Sequence, residues 1–263
     1  MKATMIPLAF TALMLAGEAV RAETAQVTVC SGEWAPFTSA HLPAYGYSSD
    51  VVTQAFARVG VEVQYKFFPW KRSFALAKMG RECDALIGYV WLSKRERDFI
   101  YSAPIMTQPY VFFHLVDRPL KFDGDVESIR GAKVGGNAGS NHTRMYRARD
   151  AGIIDFEVAG DTASNMQKLL RQRFDALPLP REVGEHYLRN ELSPQEALRI
   201  TYSPVPIGAW DYHLLFSRQL AGAEALKEQF NLGLRGLRST QDALALQVKL
   251  GQGFYDEKVV VEE

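Results

Sequence analysis

Between Gln26 and Trp91 the apolar residues change period four times, and that alternation limits the fold more than any other feature. Gln26–Ser31 alternates and is rich in Val, as a half-buried strand does. Asp50–Val59 then places Val51, Val52, Ala55, Phe56 and Val59 at helical spacing, and Gly60 stops it. Val61–Phe67 alternates again. Pro69 stands near the first turn of a second helix that runs through Leu76 to Met79 and ends at Gly80. Asp84–Gly88 is a short apolar run, read as a third strand. Strand, helix, strand, helix, strand predicts an α/β fold with a parallel sheet and right-handed crossovers.

The third strand runs on into Tyr89, Trp91 and a dense set of charges around Arg95. Two readings stay open for this stretch. It is a core strand followed by a solvated turn, or it is the wall of a ligand cleft, since ligands in open α/β sheets bind beyond the carboxyl ends of strands. The loop after the first strand holds Trp34 and Phe37 between Gly32 and Pro36. Trp70 begins the second helix just past the second strand. Both indoles are therefore candidates to face a ligand.

The alternation restarts at Ala132–Gly136 and continues through strands at Ile153–Val158 and Phe174–Leu179. A helix capped by Asp161-Thr162 lies between those two. Helices are predicted over Glu182–Leu192, Ala221–Leu237 and Thr240–Leu250. Two β-prone runs, Tyr110–Val116 and Tyr212–Phe216, connect the two α/β units. The expected organisation is a first lobe from 26–112 and 214–263, and a second lobe from 113–213.

The first 22 residues have a leader pattern: Lys2, an apolar run from Met5 to Ala16 too short to span a bilayer, and Val20-Arg21-Ala22 at a cleavage site. An exported, soluble chain is expected. Its formal net charge is +0, which argues against a general nucleic-acid surface. The five histidines are scattered without a helical pair, so neither a metal nor another cofactor is expected. No nucleophile motif is present, and Gly135-Gly136-Asn137-Ala138-Gly139 lacks the Lys of a phosphate loop. Gly139, Ser140 and Asn141 instead offer backbone N–H groups at a helix start, a place for a carboxylate or a plain strand–helix link.

The two cysteines, Cys30 and Cys83, are expected to remain free thiols. If Val27 starts level with Asp84 on adjacent parallel strands, Cys30 sits three residues further along, an offset of about 10 Å at ~3.3 Å per residue. A disulfide needs Cα atoms within about 7 Å.

Trp34-Ala35-Pro36-Phe37, Gly46-Tyr47-Ser48-Ser49-Asp50, Phe68-Pro69-Trp70-Lys71-Arg72, Asp84-Ala85, Arg95-Glu96, Tyr101-Ser102-Ala103-Pro104 and Gly131-Ala132-Lys133-Val134-Gly135 occur in that order. Together they resemble the extracellular solute-binding proteins of polar amino-acid ABC importers, across essentially the whole chain after the leader. The resemblance implies a type II periplasmic-binding-protein-like fold, with two lobes closing on a small ligand about two hinge strands. It implies a periplasmic, monomeric protein that performs no chemistry and delivers its ligand to the membrane permease of an ABC importer. By the same resemblance Trp34 and Trp70 sandwich the ligand, Arg95 grips its α-carboxylate, and Ser140 after Gly139 adds hydrogen bonds from the second lobe. Leu92 stands where the family usually has Thr, and Pro180 where an Asp usually holds the α-amino group. These departures leave a carboxylate ligand expected but point away from a standard α-amino acid. Two alternatives remain: an exported dehydratase of the cyclohexadienyl type, with Glu33 or Glu182 as acid or base, and a sensory or adaptor protein without transport.

Overall fold

The computed structural model describes residues 25–140 and 142–256. The expected leader and Asn141 lie outside the described residues. The strands are β1 Ala25–Ser31, β2 Val61–Phe67, β3 Ala85–Val90, β4 Phe99–Tyr101, β5 Met106–Leu115, β6 Lys133–Gly136, β7 Asp155–Val158, β8 Leu177–Pro180, β9 Ile200–Tyr202 and β10 Gly208–Ser217. The helices are α1 Tyr47–Ala57, α2 Trp70–Lys78, α3 Thr143–Asp150, α4 Thr162–Leu170, α5 Arg181–Asn190, α6 Pro194–Ala197, α7 Ala223–Arg238 and α8 Gln241–Gly251.

Strands β2, β1 and β3 form a parallel core, with β1 between the other two. Its period of two decides which layer each residue joins. Val27 and Val29 face the cluster built with α1 and α7, around Phe56, Phe230 and Leu234. Cys30 faces the opposite layer, with Ala77, Leu86 and Phe99. Asp84 ties the first strands together: its carboxylate accepts the Thr28 N–H at 2.8 Å, and its carbonyl accepts the Ser217 N–H at 3.0 Å.

The other lobe has its own two apolar clusters, one around Phe113, Met166 and Leu177 and one around Phe112, Val134 and Phe156. There β6 and β7 are parallel, while β8 and β9 run antiparallel to β5. Strands β5 and β10 join the two sets. They pair antiparallel from Met106–Tyr212 to Tyr110–Gly208; beyond that stretch β10 bonds to β3 and β4, and β5 to β8 and β9. Both are 10 residues long, longer than the β-prone runs in the sequence, because the crossing itself is paired. The short strand β4 is not among the strands expected from the sequence.

The free-thiol expectation is wrong. Cys30 and Cys83 form a disulfide with Cα atoms 5.6 Å apart. The actual register pairs Cys30 with Leu86, so a straight strand would have kept Cys83 three residues away. The chain before β3 is not straight. Glu82 takes a φ of 58°, and the Cys83 N–H turns back to the Arg81 carbonyl at 2.7 Å. That bend lifts Cys83 off the line of β3 and onto the face that Cys30 occupies.

Candidate functional site

One wall of a 560 Å³ cleft is built by the loop after β1 and the start of α2. The loop is closed by two hydrogen bonds between Trp34 and Thr38 and by the Thr38 hydroxyl donating to the Gly32 carbonyl at 2.9 Å. Trp34 is half-buried, its ring 4.7 Å from Phe37 and 4.8 Å from Tyr212. Trp70 opens α2 directly after Pro69 and lies flat on the backbone at Gly32, where a Cβ would stand 2.5 Å from the indole. Its Nε1–H donates to the Glu33 carbonyl at 3.3 Å. The two indoles converge over Gly88. A Cβ there would meet Trp70 at 3.2 Å and Trp34 at 3.6 Å, and Gly88 has a φ of 88°, which favours glycine.

The facing wall comes from the loop after β6, the first turn of α4, the end of β8 and one side of α5. Asn137 anchors that loop: its side chain donates to the Thr162 hydroxyl at 2.7 Å and accepts from Asn165 at 2.8 Å. His142, buried, holds the Asn137 carbonyl at 2.8 Å, and burial pushes its pKa down. Asp161 caps α4 through the Ser164 N–H at 2.9 Å. That bond and the Ser164 hydroxyl hold its carboxyl below the usual range, so it stays charged at neutral pH. Tyr110 and Tyr212, hydroxyls 3.1 Å apart, lie where the hinge strands pair.

Helix α5 divides this cleft from a second cavity, also of 560 Å³. Val183, His186 and Tyr187 line the cleft; Arg181, Glu182, Glu185 and Arg189 line the rear cavity, opposite α7 and α8. The C-terminal turn braces α5. Tyr255 is fully buried in the first lobe and donates to Asp50 at 2.8 Å. Next to it, Asp256 meets His186 Nδ1 at 2.6 Å and Arg189 Nε at 2.6 Å. Burial pushes the Asp256 pKa up, but the bonds from His186 and Arg189 outweigh it, and the net shift is downward.

Of the residues expected to bind, Trp34, Trp70 and Ser140 line the cleft. Gly139 precedes Ser140 in the exposed part of the same loop without lining it, and Asn141 lies outside the described residues. Tyr89, Trp91 and Arg95 stand elsewhere. Tyr89 packs edge-on behind Trp70 with its phenol pushed up to about 12 by burial. Arg95 lies 5.0 Å over the Tyr89 ring and donates to the Val90 carbonyl at 2.9 Å. Trp91 is exposed and donates to Glu96 at 3.1 Å. Tyr110, Asp161 and Tyr187 also line the cleft, and none of them was expected from the sequence to bind a ligand. Asp161 was legible as a helix cap, and nothing in the sequence shows that a cap faces the opposite lobe. Glu33 lines the cleft, while Glu182 does not. Among the described residues no group of side chains is placed to hold a metal ion, and no helix is long and apolar enough to cross a membrane.

No protein-family model and no curated protein matches the chain. Solved structures do. A histidine kinase sensor domain with similarity to periplasmic binding proteins superposes with a TM-score of 0.69 at 21% identity, over 86% of this chain and 96% of that one. An arginine transport-system periplasmic binding protein from Legionella pneumophila gives 0.68 at 17%, over 86% and 99%. An ancestral amino-acid-binding protein, a precursor of cyclohexadienyl dehydratase, gives 0.66 at 16%, over 86% and 95%. At these identities the likeness establishes the fold: the chain has the two-lobed architecture of the periplasmic binding proteins.

Proposed function

We propose that this chain is an exported solute-binding protein that captures a small polar ligand between its lobes and delivers it to the permease of an ABC-type importer. The observation that carries the reading is the cleft itself, with two indoles on one lobe facing polar groups of the other. Enclosure by two walls suits a clamp, because closing removes both ring faces from water at once. The disulfide supports export, since such bonds persist in oxidising compartments. Trp34, Trp70 and Ser140 are the contacts carried forward from the sequence. Arg95 supports the site from behind by stacking on Tyr89, which packs against Trp70.

A dehydratase of the cyclohexadienyl type would need an acid or base in this cleft, and Glu33 is placed there. Incubation with cyclohexadienyl acids, followed for product, tests that alternative. The binding reading is tested by a thermal-shift screen of the purified mature chain against amino acids, amines, carboxylates and sugars. A ligand at 100 times its Kd adds about 2.7 kcal/mol of stability. The expected result is a class of compounds that raises the melting temperature of the wild type but not of Trp34→Ala/Trp70→Ala. A stabiliser that acts equally on both proteins would place binding outside the cleft.

A further inference from the structure

We propose that the cleft takes a small organic cation that carries no carboxylate, such as an alkyl- or arylamine, recognised by the faces of Trp34 and Trp70 and the carboxylates of Glu33, Asp161 and Glu191. This rests on the reading of the cleft as the ligand site and names what that site takes.

The argument begins with an inventory of charge. Three carboxylates line the cleft, together with His41 and with His186, whose Nδ1 is held by Asp256; among the described residues no lysine or arginine does. The guanidinium nearest in sequence on the second lobe, Arg181, lies on the other side of α5, bonded to Glu182 at 2.8 Å. Arg95 is occupied by the Val90 carbonyl and the Tyr89 ring, outside the cleft. An anionic ligand would therefore leave water without meeting a permanent opposite charge, which costs far more than a partial hydrogen bond returns.

Backbone donors do not fill that role. The Ala138 N–H is bonded to the Gly160 carbonyl at 2.9 Å, and the Ser140 N–H to the Asn137 carbonyl at 3.3 Å. At the start of α4 the position that would receive an anion is held by the protein's own Asp161, whose carboxylate accepts the Ser164 N–H. The Asp161 N–H in turn donates to the Ser164 hydroxyl at 3.1 Å.

A second, independent feature is aromatic. The indoles of Trp34 and Trp70 both close on Gly88, where a Cβ would stand 3.2 Å from Trp70 and 3.6 Å from Trp34, and both line the cleft. Indole faces attract cations through their quadrupole and offer nothing comparable to an anion. The Trp70 Nε1–H, the one strong donor of that ring, is already bonded to the Glu33 carbonyl. The sign of the local field is also visible in Tyr187, which lines the cleft. Its phenol is pushed up first by burial and then by the charges of Asp161 and Glu191.

The test holds everything but the carboxylate constant. Agmatine, cadaverine and tyramine are the decarboxylated forms of arginine, lysine and tyrosine. Calorimetric titration of the full mature chain with these three pairs is expected to give, for at least one pair, an amine at least about tenfold tighter than its amino acid. Asp161→Asn, which keeps the helix cap, and Glu33→Gln should each weaken that amine several-fold without lowering the melting temperature of the free protein. An amino acid binding as tightly as its amine, and weakened by Trp70→Ala, overturns the inference while the cleft stands as a ligand site. Amine binding indifferent to Trp34→Ala/Trp70→Ala overturns both. No binding by any of the three amines at millimolar concentration overturns the inference, and a stabiliser of another class in the thermal screen would then identify what the cleft takes.

Discussion

Replacing both cysteines with alanine isolates the contribution of the Cys30–Cys83 bond. The two residues are 53 apart in sequence, and the link closes the segment from the end of β1 through α1, β2 and α2. Chain-entropy arithmetic for a loop of that size gives about 4 kcal/mol of stabilisation. Both side chains are buried, at 0% and 2% exposure, among Ala77, Leu86, Phe99 and Leu215. Loss of two sulfur atoms from that layer adds roughly 1 kcal/mol through packing. For a chain of this length, 4–5 kcal/mol corresponds to a fall in melting temperature of roughly 8–20 °C. Urea and thermal unfolding of Cys30→Ala/Cys83→Ala beside the wild type measure it, and thiol titration of the denatured, unreduced wild type fixes the reference. Zero free thiols and a fall of that size are expected. Two free thiols, or a variant melting within about 2 °C of wild type, would refute the bond or its role.

Gly88→Ala forces a side chain into a φ of 88° and to within 3.2 Å of the Trp70 ring and 3.6 Å of the Trp34 ring. It should cost about 1–2 kcal/mol of stability by denaturant melts and abolish the ligand-dependent thermal shift. Asp256→Asn should weaken the brace between the C-terminal turn and α5 by about 1–2 kcal/mol at pH 7. Because the folded pKa of Asp256 is lowered, its contribution is present above the ordinary carboxylate range and lost as pH falls through the folded value. The difference between variant and wild type should therefore shrink in urea melts at acid pH, and a difference independent of pH would contradict the assignment. Small-angle scattering should show a smaller radius of gyration at saturating ligand, with β5 and β10 as the hinge. An unchanged radius would count against closure.

The first lobe was legible because each strand and helix keeps a clear period and Gly60 and Gly80 punctuate them. The cysteine pairing was not, since it depends on one residue, Glu82, entering a left-handed conformation that its side chain does not advertise. On the cleft, the loop aromatics could be found from their place after strand ends. The second wall could not, because facing residues such as Asp161 and Tyr187 come from separate elements whose orientation depends on how β5 and β10 cross. Asp161 carries a sequence signal only for its local bond to Ser164, and its exposure to the opposite lobe is a tertiary fact. Arg95 follows a strand end, as a ligand contact would. The side chain turns instead to the ring surface of Tyr89 and Phe74, which the sequence places near it without saying on which side.

A crystal structure of the protein without its first 22 residues, grown with the strongest stabiliser from the screen, tests the account most directly. The account predicts ligand density in the cleft, in contact with both Trp34 and Trp70 and with at least one of Glu33, Asp161 and Glu191. Density behind α5, beside Gln108 and Arg238, or a ligand carboxylate held by Arg95, would contradict it.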